Sequence, residues 1–325
     1  MSTETSDTLV KDVLAAMRKG ATGDTDALDA LGRQSSKEGK AAEEEKKVEL
    51  PALLAKETYV TRPNGEKYYI RKLGRHHDVE VLRKAREKLI YPLLTGPPGT
   101  GKTALLEAAY CTTSKVYTVQ GSGDTEVSDF VGGYVQHVID GKTTFDWVDG
   151  PLLQAMEEGA VLYIDEIALI DPKVLAVAYG VIDGRNELRI TQNPDRGVVT
   201  AKEGFFVVAA CNPNAPGARM SEALLSRFKL QFEVTTDYAL ARKLGVDSRM
   251  ITAAQNMQRK VEAGNVLSWA PQLRELLAFK SISDEFGEDT ALRNMVTTAP
   301  ELDRSQVADL ISRSYHQTIK GLALT

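Results

Sequence analysis

Residues 96–103 read GPPGTGKT and follow the apolar stretch 89–94, which has the length and composition of a buried strand. A strand that runs into a glycine-rich turn and then into Lys-Thr limits the fold more than any other part of the chain. Backbone at Gly96, Gly99 and Gly101 can wrap closely enough to aim N–H groups at phosphate oxygens, with Pro97, Pro98 and Thr100 completing the loop. Lys102 adds a mobile point charge for β- and γ-phosphates. The Thr103 hydroxyl can ligate magnesium at the start of a helix whose dipole favours anions. With ordinary glycine abundance such a match arises by chance in about one chain in a hundred of this length, so a plain glycine-rich turn is a poor explanation.

The rest of the chain has to supply the sheet that such a loop caps. From Asp78 the pattern alternates: a helix over 78–88, a strand ending at Thr95, a helix over 102–111 and a strand over 116–120. Then come a helix over 151–158 with Pro151 in its first turn, a strand over 160–165, and a helix opened by Asp171-Pro172. The buried run 205–211, a helix over 221–228 and a closing strand over 230–234 complete the series. Strands separated by helices imply βαβ units, hence an α/β parallel sheet with helices on both faces. After Thr235 the β signals stop. Helical stretches near 237–244, 248–262, 270–282 and 305–321 predict an all-helical C-terminal domain over 236–325, behind an α/β domain over 58–235.

Residues 1–57 read differently. A short helical stripe (Leu9, Val10, Val13, Leu14, Met17), a second apolar pair (Leu28, Leu31) and the charge run 37–47 cannot bury a domain core, so a flexible segment with short helices is expected, with a docking helix for a partner as the alternative. Next, 58–61 and 67–70 flank Asn64-Gly65 and predict a hairpin that seals an edge.

Composition narrows the class. With 42% hydrophobic and 26% charged residues in 325, the chain is globular, with one large or two modest cores. A net charge of −5 opposes a protein devoted to gripping nucleic-acid phosphates. Cys111 and Cys211 are too few and too isolated for a disulfide framework or zinc site, and packing is their expected role. Neither an apolar signal core nor a long apolar run is present, so a cytoplasmic protein without a membrane span is expected.

Three further motifs carry chemistry. The run 161–166, VLYIDE, delivers two carboxylates at the end of an apolar strand: Asp165 suits a hold on magnesium, and Glu166 suits activation of a water for attack on a γ-phosphate. Alone, such a pair is more often a helix cap or a solvated loop. Beside a phosphate loop the balance reverses. The strand 207–211 ends in Asn212, whose amide could hold the attacking water or simply begin a turn with Pro213. Arg227 closes the helix 222–228, either as a cation on the helix dipole or as a finger reaching a neighbouring subunit's nucleotide.

In this order, 96–103, 161–166, Asn212 and Arg227 resemble the Walker A, Walker B, first sensor and arginine finger of AAA+ ATPases, over about 71–320 of the chain. Within that superfamily the chain looks like the MoxR branch, related to magnesium-chelatase-type and dynein-related modules. Asp124-Thr125, the run 129–134 (DFVGGY), a hairpin over about 134–148 turning at Asp140-Gly141, and 149–152 (DGPL) are similar to the branch's insert in its second helix. Segments 187–190 and 198–201 resemble its hairpin before the first sensor. The spacing of 211–213 to 221–228 resembles its sensor-to-finger spacing.

The resemblance implies ATP and Mg2+ as ligands, a second sensor at Arg274 in 267–274 (LSWAPQLR), and a homo-oligomeric ring, hexameric in the family. This segment departs from the family's Ser-x-Arg arrangement, and a surface salt bridge is the alternative role for Arg274. The run 120–124 (QGSGD) offers no aromatic grip for threading a polypeptide, which favours a chaperone-like remodeller of a folded partner. In the MoxR branch that partner is often a von Willebrand factor A domain protein. An alternative is a nucleic-acid motor or loader, opposed by the acidic balance and by an insert hairpin with few positive charges and no evident stacking pair. A nucleotide-gated switch without hydrolysis is opposed by the presence of Glu166, Asn212 and Arg227 together.

Overall fold

The computed structural model describes residues 59–139, 141–264 and 267–323; the expectations for residues 1–57 and for Asp140 lie outside the described residues. In chain order, β1 (Tyr59–Thr61) pairs with β2 (Lys67–Tyr69), β3 (Lys72–Leu73) pairs with β4 (His76–His77), and α1 (Asp78–Glu87) follows. Then come β5 (Pro92–Thr95), α2 (Lys102–Leu106), β6 (Val116–Gln120), α3 (Ser128–Val131), the long hairpin β7 (Gly132–Ile139) and β8 (Lys142–Asp149), and α4 (Pro151–Glu158). After β9 (Val161–Asp165) and α5 (Pro172–Gly180), the small hairpin of β10 (Glu187–Arg189) and β11 (Val198–Thr200) precedes β12 (Phe206–Cys211), α6 (Glu222–Leu225) and β13 (Leu230–Glu233). Five helices close the chain: α7 (Tyr238–Lys243), α8 (Ser248–Glu262), α9 (Leu273–Phe286), α10 (Glu288–Thr298) and α11 (Arg304–Tyr315).

The central sheet has the order β13-β5-β12-β9-β6, and every neighbouring pair is parallel. All six residues of β12 are buried, as only a strand covered on both faces can be. The strand that leads into the phosphate loop and the strand that carries the acids are therefore not neighbours: β12 lies between them, with Cys211 opposite Thr95 and Ala209 opposite Ile164. Because the strands run in one direction, their C-terminal ends share one edge. This is the α/β architecture expected, followed by a helical lid whose own core is built from Met250, Ile251, Met257, Leu276, Phe279, Leu292 and Ile311.

Local differences have physical causes. The helix expected over 102–111 relaxes into a π-helical turn at Glu107–Cys111. The lid helix expected from 270 starts at Leu273, where Gln272 and Glu275 form a capping box. Helix α10 was not anticipated: its N-cap is Gly287 at φ 88°, which carries no side-chain signal. The last helix stops at Tyr315 rather than continuing to 321, because His316 turns left-handed at φ 54° and the Ser312 hydroxyl accepts from Ile319 N at 3.0 Å.

Two expectations about hairpins are corrected. The β1–β2 hairpin does not seal the central sheet; it is a separate two-stranded unit. In the insert hairpin the register sets Tyr134 opposite Trp147, with ring centroids 5.3 Å apart and planes at 78°, so an aromatic pair is present after all. It meets edge to face, each ring engaged by the other. Among the described residues no helix is long and apolar enough to cross a membrane.

Candidate functional site

The phosphate loop is held tightly before any ligand is considered. Gly96 sits at φ 140°, and a Cβ there would lie 2.4 Å from the Val234 carbonyl oxygen, so no side chain fits. Thr100 is fully buried and its hydroxyl donates to Pro97 O at 3.0 Å. Lys102 folds back over the loop: its Nζ donates to Gly96 O at 2.8 Å and Pro97 O at 2.9 Å. Burial lowers the Lys102 pKa from the usual lysine value, an effect opposed by the nearby Glu166 and Asp165 carboxylates.

The acids leave the end of β9 in an unusual backbone. Glu166 is left-handed at φ 48°, ψ 41°, and its Oε2 accepts from Asn212 N at 3.1 Å. Asp165 Oδ1 accepts from Glu166 N at 3.0 Å. Gly121, just past β6, donates its N–H to Asp165 O at 2.8 Å, and a Cβ on it would lie 2.5 Å from Glu166 O. Two residues before Asp165, on the same face of β9, Tyr163 is buried beside the Thr103 and Asp165 side chains, and its hydroxyl lacks a well-formed hydrogen bond. Cys211 is buried, and its thiol is pushed up to about 11.

Thr103 and Asp165 both face a pocket of about 410 Å³, within the range of small-molecule sites. Two hard oxygen donors beside an orphaned phenol fit magnesium, which takes one or two protein oxygens and completes its shell with phosphate and water. Among the described residues no group of three or more His, Cys, Asp or Glu is placed to hold a metal without a nucleotide's oxygens.

The pocket is completed by segments before and after the sheet. Residues 98–103, Asp165 and Glu166 form its floor; from the lid come Leu240, Leu244, Leu273, Arg274 and Leu277. Arg274 thus joins the phosphate loop, and its backbone N–H donates to Gly99 O at 3.1 Å. The remaining wall holds Arg62, Tyr68, Tyr69 and Arg71, none of which the sequence singled out. Their only sequence signal was an aromatic, basic hairpin directly upstream of the first core helix. The lid leucines and the two tyrosines add apolar lining to the same pocket, next to a floor suited to phosphates.

Two candidates stand apart from the pocket lining. The Asn212 side-chain Oδ1 accepts from Asn214 N at 3.1 Å, closing a turn, while its backbone N–H holds Glu166. Arg227 lies over the Tyr179 ring, 4.1 Å from its centroid, and donates to Asp183 Oδ2 at 3.0 Å. Neither residue lines the pocket of its own chain.

Comparison with known proteins places this geometry in a family. Residues 92–228 match the model of the AAA domain, dynein-related subfamily. YojN, an uncharacterised protein of Bacillus subtilis, is 30% identical over 229 residues, covering 66% of this chain and 74% of that protein. An uncharacterised protein of Staphylococcus saprophyticus is 30% identical over 232 residues, 67% of this chain and 87% of its own. Among solved structures, NtrX of Brucella abortus in complex with ADP is similar at a TM-score of 0.39 and 17% identity, covering 71% of this chain and 52% of that one. The chain belongs to the dynein-related subfamily of AAA domain proteins.

Proposed function

We propose that the chain is an ATPase of the MoxR-like kind, one subunit of a homo-oligomeric ring that binds ATP with magnesium and couples its hydrolysis to remodelling or maturation of a partner protein or complex. The observation that carries the reading is the meeting of the phosphate loop, the Asp165-Glu166 pair and lid residue Arg274 around one pocket. Lys102 leaves the Gly96 and Pro97 carbonyls for phosphate oxygens, and Arg274 adds a second cation from the lid. Thr103 and Asp165 would hold magnesium, which neutralises charge on β- and γ-phosphate oxygens when bound.

Glu166, aimed by the Asn212 N–H, orients a water and takes up its proton. Arg227 lies outside its own pocket and is left for a neighbour's, provided it exchanges Asp183 for phosphate oxygens. The absence of an aromatic grip in 120–124 supports work on a folded partner, for which a von Willebrand factor A domain protein is the candidate.

The test is phosphate release by the purified full chain with and without magnesium. Magnesium-dependent turnover that drops about 10²–10⁴-fold in Glu166→Gln, with nucleotide affinity retained, is expected. Turnover unchanged by that substitution contradicts the assignment.

A further inference from the structure

The Arg71 side chain touches the N-terminal hairpin segment, the phosphate loop and the entry to the lid. It lies between β2 and β3, and its backbone is locked to the start of α1: Arg71 N donates to Asp78 Oδ1 at 3.1 Å and Asp78 N donates to Arg71 O at 3.0 Å. Its guanidinium packs over the Tyr68 ring, 5.5 Å from the centroid, and Nε donates to the Tyr68 hydroxyl at 3.0 Å. The Tyr68 hydroxyl in turn donates to Asp78 Oδ2, which also pairs with Arg71 across 3.5 Å. Tyr68 and Asp78 are buried, so the base of the arginine is fixed.

What the fixed arginine holds is informative. Its Nη1 is shared between two carbonyls, Thr100 O at 3.3 Å and Thr235 O at 3.2 Å. Thr100 is inside the phosphate loop. Thr235 follows β13, and the next residue, Thr236, donates its hydroxyl to Gln272 Oε1 at 2.6 Å, at the cap of α9. One nitrogen therefore bridges the loop and the strand of chain that leads into the lid.

The loop contact also sets a donor. In a planar trans peptide the C=O and N–H point in opposite directions. Drawing the Thr100 carbonyl toward Arg71 turns the Gly101 N–H the other way, away from the arginine. At 3.3 and 3.2 Å both bonds are at the long end of the N–H···O range, so they restrain the two segments and still allow them to move.

We propose that Arg71 is a positioning residue: it aims the Gly101 N–H of the phosphate loop and ties that peptide to Thr235, so that occupancy of the loop is felt at the lid hinge. The proposal rests on 96–103 being a nucleotide site. Lysine cannot replace this arginine, because a single ammonium cannot satisfy Tyr68 and both carbonyls with the geometry of the guanidinium fork.

Amide hydrogen–deuterium exchange of the full chain, with and without ADP and magnesium, tests it. In the wild type ADP should slow exchange both in 96–103 and in 234–241. In Arg71→Lys the loop should still be protected at saturating ADP, with affinity weakened about tenfold, while the protection at 234–241 is lost. Undiminished hinge protection in Arg71→Lys overturns the proposal. Should Arg71→Lys fail to fold, Tyr68→Phe, which removes only the hydroxyl that orients Nε, decides in its place: reduced hinge protection supports the coupling, and wild-type protection refutes it. A wild type in which ADP protects neither segment contradicts the nucleotide reading itself, and the proposal with it.

Discussion

Lys102 and Glu166 are each held by the backbone in a way that prepares a charge for use. Lys102 rests on two loop carbonyls, and burial makes its charge easier to lose than that of a free lysine with its reference value of 10.5. The unfolded chain binds this proton more readily than the folded one, so between the lowered value and 10.5 the lysine's contribution to stability rises with pH. Phosphate binding runs the opposite way, because it needs the charge. Affinity for ADP, followed by calorimetry from neutral pH to about 10, should therefore begin to weaken below the pH at which an unperturbed lysine titrates. A flat profile across that range would speak against Lys102 as the phosphate cation.

The phosphate loop and the acid pair were legible because each is a single strand running into a turn, so one short window contains the chemistry. Arg71 was not legible, since it acts on Thr100 and Thr235, which sequence order places far away, and Tyr68 acts only through it and Asp78. Asn212 was legible as a position but not in its manner of acting, because the contact to Glu166 comes from its backbone.

Among the elements, the end of β6 sets where Glu166 stands. Gly121 passes so close to the Glu166 carbonyl that a methyl group cannot be inserted without moving one of them. Gly121→Ala should fold and bind nucleotide but lose about a hundredfold in turnover, the scale expected for a displacement of about 1 Å at a reacting group. Comparing phosphate release with ADP affinity separates this from a binding defect; equal loss in both would contradict it.

The lid offers a stability test. Leu292 in α10 is fully buried in the lid core, so Leu292→Ala should cost about 2–5 kcal/mol in denaturant unfolding. Helix α10 escaped the sequence reading although Ala291, Leu292, Met295 and Val296 have helical spacing. Its glycine cap removed the usual start signal. The strands were easier, because β9 and β12 are unbroken apolar runs that a doubly covered parallel sheet requires.

For the molecule as a whole, the arrangement of cations is the distinguishing property. Lys102 and Arg274 belong to the chain's own pocket, while Arg227 is outside it, held by Asp183 and Tyr179. A head-to-tail ring would bring such an arginine to the next subunit's site, and the site would be complete only at an interface. The most direct measurement is ATP turnover by rings assembled from Arg227→Ala subunits mixed with Lys102→Ala subunits, each inactive alone. Equal mixing rebuilds an intact site at roughly a quarter of head-to-tail interfaces. The account predicts that turnover reappears on mixing, in proportion to the mixed rings formed. Demonstrably mixed rings that stay as inactive as either parent would contradict it.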